Sequence, residues 1–288
     1  MSSLPREITS RANQQSGMRW NRLGRIVAYI VVGFFVVIYL APMLVVVNVS
    51  LKSPQAFMLD PASLTQSPYF ENFVEAWKRA NFPLYIVNTL VYTVLSTILY
   101  VTTVTLVAFP IARKYVKGSN FLYLLFVMAL FLPSGLIPQF QLMLNLGLYN
   151  TRIGYILLTA GGGIAPLFLV NYLKSVPKEL DEAAAMDGCG YFRFVLQIIL
   201  PLIKPALATI ALLHAIGIWN DIIGPTIYLT DKAFYPITRG LMIFYGQYGN
   251  DWTPLAAATL MTAAPLILLF IFLQRYFIEG AMMGSLKG

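Results

Sequence analysis

Glu182, Ala183, Ala184 and Gly188, followed by Ile198, Leu200 and Pro201, make a polar cassette in an otherwise apolar chain. The chemistry these residues suit is docking, not bond cleavage. Glu182 offers a carboxylate that matches the two-pronged guanidinium of an arginine on another protein. Ala183, Ala184 and Ala185 are small enough to let a partner approach closely. From Lys178 to Asp187 acids outnumber bases four to one, which disfavours adsorption on anionic lipid. The blander reading is an amphipathic loop helix lying on headgroups.

The elements that position this cassette follow from its flanks. Ser175 is expected to cap a short helix with Pro177 in its first turn. Glu179, Asp181 and Glu182 then fall where acids suit the helix dipole. Lys178 and Glu182 form an i,i+4 pair in the weaker orientation. Leu180, Ala183, Ala184 and Met186 offer a small apolar face. Gly188, after Asp187, suits the positive φ that ends a helix. Gly190 restarts the chain, residues 191–200 read as a second helix, and Pro201 and Pro205 mark the entry to the next apolar run.

Other candidate chemistry is sparse. No G-x4-G-K-[ST] phosphate loop occurs, and Gly161-Gly162-Gly163 lacks the lysine such a loop needs. Cys189 is the single cysteine and His214 the single histidine, so neither a disulfide nor a zinc site is expected. No Ser/His/Asp or Cys/His cluster is evident. Asn220 and Asp221 sit in an apolar run, where a carboxylate faces a bundle interior or a wet cavity. They are expected to make a polar contact near the outer end, and no further acid at that depth suggests a proton relay. His214 is expected to hydrogen-bond at a helix interface, and the Gly161–Gly163 run to be either a flexible break or a close-packing site, packing being the default for small residues in membrane helices. Gln139 and Gln141 are candidates for lining a wet path.

Composition sets the class. Of 288 residues, 58% are hydrophobic and 11% charged, against about 25% charged in soluble domains. Six runs are long enough for membrane helices of about 20 residues: 26–49, 85–109, 121–142, 153–173, 205–229 and 255–277. The fourth is broken by Gly161–Gly163 and Pro166. The first run is too long for a signal peptide and has no cleavage site behind it. The net charge of +8 follows loops and forms no basic face, so nucleic acid is a poor partner. With the N-terminus inside, fourteen of the twenty Lys and Arg fall on inner segments, among them Arg6, Arg11, Arg19, Arg113, Lys174, Arg275 and Lys287. Both termini are therefore expected in the cytoplasm. Two long loops, 51–84 and 230–254, fall outside and are rich in aromatic residues, suited to the membrane interface or to an external partner. Residues 1–17 are expected to be disordered.

The cassette, E-A-A-x3-G-x9-I-x-L-P, resembles the loop signature of permease subunits of ABC importers, and every fixed position matches. F-x-N-F-x2-A-W at Phe70–Trp77, N-T-L at Asn88–Leu90, P-I-A-R at Pro110–Arg113 and W-N-D-x3-P at Trp219–Pro225 resemble the carbohydrate, maltose-type group. The resemblance runs from the first span to the end and is closest to the smaller, six-span partner of a heterodimeric pair.

This resemblance implies an all-α integral membrane protein with six transmembrane helices and a cytoplasmic coupling helix between spans four and five. Residues 1–25 would be a cytoplasmic segment and 26–288 the permease domain, with the coupling loop at about 174–204. It further implies that Glu182, Ala183, Ala184, Asp187, Gly188, Ile198, Leu200 and Pro201 couple to a separate ATPase. The chain itself would bind no cofactor or metal, and ATP and Mg would sit on two copies of that ATPase. A second permease subunit would complete the pore, and an extracytoplasmic solute-binding protein would deliver a carbohydrate, in expectation an oligosaccharide. The loop at 230–254 matches by position the family loop that reaches into the binding protein. The setting would be the bacterial plasma (inner) membrane. Against this stand a self-sufficient secondary transporter, which calls for internal repeats and paired broken helices, and a non-transporting scaffold, which leaves the cassette unexplained.

Overall fold

In the computed structural model the described residues are 22–133, 135–246 and 249–285. Residues 1–17, with Arg6 and Arg11, lie outside them, as do Arg19, Tyr248 and Lys287. Among the described residues the structure is helical, apart from an isolated bridge between Tyr245 and Asn250.

The chain divides into two units, residues 1–48 and 49–288. The first contributes α1 (Arg22–Ser50), a 29-residue helix that is apolar all round and mostly exposed, as suits a helix bathed in lipid.

The second unit opens with two short helices, α2 (Pro54–Leu59) and α3 (Glu71–Arg79). Ser53 caps α2, its hydroxyl accepting the Ala56 N–H at 3.2 Å. Buried Lys52 draws the following loop together. Its ammonium donates to the carbonyls of Asp60 and Pro61 and to the Ser63 hydroxyl, at 2.6, 3.2 and 2.9 Å. Asn72 donates to the carbonyls of Ser50 and Lys52 at 2.8 and 2.7 Å.

Then comes α4 (Phe82–Arg113), 32 residues without interruption. At 1.5 Å per residue it is about 48 Å long, ample for a hydrocarbon core of about 30 Å. The next two apolar runs are not single helices. The third is split into α5 (Ser119–Ala129) and α6 (Leu136–Asn145), and the fourth into α7 (Arg152–Thr159) and α8 (Ala165–Lys174). Pro133 and Gly135 lie in the first break. Gly162 and Gly163 hold φ of 87° and 78° in the second, a conformation that ends a right-handed helix. The expected break in the fourth run is therefore present, and one in the third was not foreseen.

The cassette follows as α9 (Glu179–Met186) and α10 (Tyr191–Phe194). A π-helical turn, Val195–Ile199, leads into α11 (Leu200–Asn220). Short α12 (Ile223–Tyr228) and α13 (Ile237–Gly240) precede α14 (Trp252–Ser285). The fifth run thus starts earlier than expected and stops at Asn220, short of residue 229. Four helices are long and apolar enough to cross a membrane among the described residues: 24–50, 82–113, 195–220 and 252–271.

The largest core cluster joins α4, α8, α9 and α11 near the cassette. It includes Val104, Ala108, Phe109, Ala112, Leu169, Leu173, Ala184, Phe194, Ile199, Ile203 and Ala206. Lipid is as apolar as leucine, so helices in a bilayer associate through close packing and polar contacts. Ala108 and Ala206 are fully buried and let the helices approach.

Candidate functional site

The cassette begins later than its sequence suggested. Ser175 does not cap α9. It closes α8, with its backbone N–H and its hydroxyl both donating to the Tyr172 carbonyl, at 3.0 and 2.7 Å. Helix α9 starts at Glu179 without a side-chain cap, three acids in its first turn complementing the exposed amides. Lys178 and Glu182 are not ion-paired.

Its end is a complete Schellman closure. Gly188 N–H donates to Ala185 and Cys189 N–H to Ala184, at 3.1 and 2.9 Å, with Gly188 at φ 67°. Both bonds occupy carbonyls that the helix end leaves without partners.

The two sides of α9 differ sharply. Asp181 and Ala184, three residues apart, face inward, where Ala184 joins the core. The Asp181 carboxylate touches the Arg113 guanidinium at 2.9 Å and accepts the Tyr115 hydroxyl at 2.7 Å. The side chains of Arg113 and Asp181 are only 2% and 15% exposed. Arg113 ends α4 and also donates to the carbonyls of Val176 and Pro177, at 2.9 and 3.5 Å. The Arg113–Asp181 contact is a charge contact without hydrogen-bond alignment, since Oδ1 of Asp181 and Nε of Arg113 have no bonded partner. Burial, and then the carboxylate it faces, push the Tyr115 hydroxyl up to about 12.

Glu182, Ala183, Ala185, Met186 and Asp187 face outward, with Met186 89% exposed. The small face expected of Ala183, Ala184 and Ala185 is thus divided: Ala184 packs against the subunit's own core, and its neighbours are free. Beyond Gly190, Ile198 and Leu200 are half-buried against the same core, while Pro201 is exposed. Leu200 N–H donates to Val195, five residues back. The π turn accommodates Pro201 and Pro205, which lack the N–H that an α ladder needs.

Farther along, Asp221 lies at the C-terminal end of α11, not within the span. Its carboxylate accepts the Tyr155 hydroxyl at 2.8 Å and the Gly224 N–H at 3.0 Å. The Thr238 hydroxyl donates to its carbonyl at 2.7 Å. Asp221 therefore knits α7, α11, α12 and α13 together. Asn220 is exposed and donates to the Ile216 carbonyl at 3.0 Å. Trp219 donates to the Thr262 carbonyl of α14 at 3.1 Å. Gln139 and Gln141 are exposed on α6, the latter donating to Asn145 at 3.0 Å.

His214 has a structural task. Nε2 lies 2.9 Å from the Thr159 carbonyl, which can only accept, so Nε2 carries the proton. Nδ1 then accepts the Thr97 hydroxyl at 3.1 Å. Tyr100 stacks on the ring at 4.1 Å and donates to the Gly162 carbonyl at 2.9 Å. Two carbonyls at the α7–α8 break, those of Thr159 and Gly162, are thereby given side-chain donors, as an apolar setting favours. A cavity of about 310 Å³ lies beside this pair, lined by Tyr100, Ile164, Phe168, Thr209, Leu213 and His214. No cluster of His, Cys, Asp or Glu fit to hold a metal occurs among the described residues.

Sequence reasoning did not single out Asp181 and Tyr115, and it used Arg113 only as a topology charge and a motif position. An arginine closing the second apolar run, matched by an acid beside Glu182, was the available signal.

The chain matches the family described as binding-protein-dependent transport system inner membrane component over residues 86–280. It is 32% identical to the melibiose/raffinose/stachyose import permease protein MelC of Bacillus subtilis, covering 86% of this chain and 91% of that one. It is 35% identical to the arabinooligosaccharides transport system permease protein AraQ of Halalkalibacterium halodurans, over 80% of this chain and 82% of the relative. Among solved structures it resembles a chain of a bacterial ABC transporter involved in import of the acidic polysaccharide alginate. That match has a TM-score of 0.82 and 25% identity, and covers 90% of this chain and 98% of the other.

Proposed function

The chain belongs to the binding-protein-dependent transport system inner membrane components, and from that premise we propose that it forms half of the pore of an ATP-driven carbohydrate importer. It is a multi-pass membrane protein with six crossings, the third and fourth each made of two half-helices. Both termini and the cassette lie in the cytoplasm. A second, different permease subunit completes the pore. Two copies of a separate ATPase, holding ATP and Mg, engage α9, and an extracytoplasmic binding protein supplies the sugar. The subunit is not itself catalytic. The sugar assignment is supported by the sugars that the relatives MelC and AraQ are named for, and an oligosaccharide is the substrate class they favour.

The observation that carries this reading is the two-sided cassette. Asp181 is locked inward on Arg113, while Glu182, Ala183 and Met186 stand free for a partner. A helix gripped on one side by its own subunit and open on the other can be pushed without peeling away. Closure of the ATPase pair favours the outward-open pore, and release restores the inward-open one. Each ligand acts by binding one state better than the other.

The test is uptake of labelled oligosaccharide by vesicles holding the full complex. Glu182→Lys reverses the charge offered to the ATPase and is expected to abolish uptake while sugar binding to the binding protein continues. Normal uptake by that variant, or uptake by this subunit without any ATPase, refutes the reading.

A further inference from the structure

Polar side chains clamp α4 at both ends, each time to a segment with a task in transport. At the cassette end Arg113 holds Val176, Pro177 and Asp181, and Tyr115 adds a second hold on Asp181. At the far end Asn88 donates to the carbonyls of Ala233 and Tyr235 at 2.9 and 3.0 Å. Tyr92 donates to the Phe234 carbonyl at 2.8 Å, and the Ile237 N–H donates to Thr89 at 2.8 Å. Asn88, Thr89 and Tyr92 share one helical face, and together they grip four residues of a segment that contains only short helical turns.

Between the clamps α4 is continuous. Asn88 and Arg113 are 25 positions apart, about 37 Å along a helix. The buried face of the rod runs through Tyr92, Ser96, Tyr100, Val104 and Ala108. The alternative paths are weaker. The α7–α8 span is interrupted at Gly161–Gly163, and α11 is entered through a π turn. Among the described residues α4 runs without a break in the helix from the cassette's anchor to the 233–237 segment, its interior proline, Pro110, lying in the last turn beside Arg113.

Building on the proposed function, we infer that α4 is a strut through which the loop at 233–237, when engaged by the sugar-loaded binding protein, sets the position of α9 on the ATPase. Asn88, Tyr92 and Arg113 are its positioning residues. The strut works in both directions, because coupling between two binding events is reciprocal.

The experiment uses the complete complex in lipid vesicles and reads the ratio of ATP hydrolysis with and without sugar-loaded binding protein. Asn88→Ala, Tyr92→Phe and Arg113→Gln are each expected to lower that ratio about tenfold, within the usual range for coupling between distant sites. Tyr92→Phe removes one hydroxyl, and Arg113→Lys keeps the charge while losing the planar fork, so both serve where a harsher change prevents assembly. The deciding variant is Asn88→Ala combined with Arg113→Gln. Residues so far apart normally act additively, which here would multiply to about a hundredfold. A single strut cut twice transmits no less than a strut cut once, so the double variant should match the worse single within about twofold. A multiplicative loss overturns the inference, as do single variants with full stimulation. Either result leaves the proposed function standing, which fails separately if Glu182→Lys transports normally.

Discussion

Asp181 and its neighbour Glu182, about 100° apart around one helix, meet different surroundings: the first touches Arg113 at 2.9 Å, and the second stands exposed with no ion pair. Adjacent acids of the same charge thus divide the work of fastening and offering. This division predicts different failures. Asp181→Ala leaves the Arg113 guanidinium buried and unmatched, a loss of about 3–5 kcal/mol. It should lower the thermal midpoint of the purified complex. Glu182→Ala, a surface change, should shift stability by no more than about 0.5 kcal/mol yet reduce uptake. Thermal melts and uptake measured side by side decide it; equal melting losses would contradict the two-sided cassette.

Gly188→Val should uncouple hydrolysis from uptake. At φ 67° any residue with a Cβ is strained, by roughly 1–2 kcal/mol, and a β-branched one more. Because the space around a Cβ there is open, the penalty is purely conformational. Gly188→Asn should therefore retain most activity, since asparagine tolerates this region. If valine and asparagine transport alike, the Schellman closure is not what matters.

His214→Phe should destabilise the α7–α8 break. The ring stack on Tyr100 survives, but the Thr159 carbonyl loses its donor. An unpaired buried acceptor costs about 1–3 kcal/mol. His214→Gln, which restores an N–H, should recover part of that loss in a detergent melt. A phenylalanine variant as stable as the parent would show that the carbonyl needs no protein donor.

Alkaline pH offers a probe of the cassette's attachment. Tyr115 ionises near 10 when free and at about 12 in the fold. Its contribution is present in full below about pH 10 and is lost as pH climbs toward 12, because there the unfolded chain releases a proton that the native chain keeps. Melting of the complex should be insensitive to this group from pH 6 to 9, and its fall above pH 10 should be shallower in Tyr115→Phe. An identical alkaline profile in both proteins would refute the attachment.

The membrane class, the cassette and the break in the fourth apolar run were legible from hydrophobic runs, prolines and glycines, which act locally. What escaped sequence reading depends on residues distant in the chain. Ser175 looked like a helix start, but its hydroxyl bonds backward to Tyr172. Asp181 looked like a dipole acid, and nothing nearby reveals that Arg113 comes to meet it. The motifs Asn88-Thr89, Arg113 and Trp219-Asn220-Asp221 were recognised as signatures, while their physical work became visible only in three dimensions. Asn72, Asn88, Trp219 and Arg113 each donate to main-chain carbonyls remote in sequence. The end of the fifth helix at Asn220 was missed because residues 222–229 are as apolar as a span, although Asp221 turns the chain there.

The brevity of α9 bears on how the subunit is made. Eight residues are too few to hold a helix in water, so the cassette's order is borrowed from the arginine and tyrosine beneath it. Translation delivers those two residues well before the ribosome reaches Glu179. The nascent chain therefore meets its polar anchor ready made, and the segment that we propose docks the ATPase should take shape once Ile199 and Ile203 follow to close the core around Ala184, with no ATPase subunit needed.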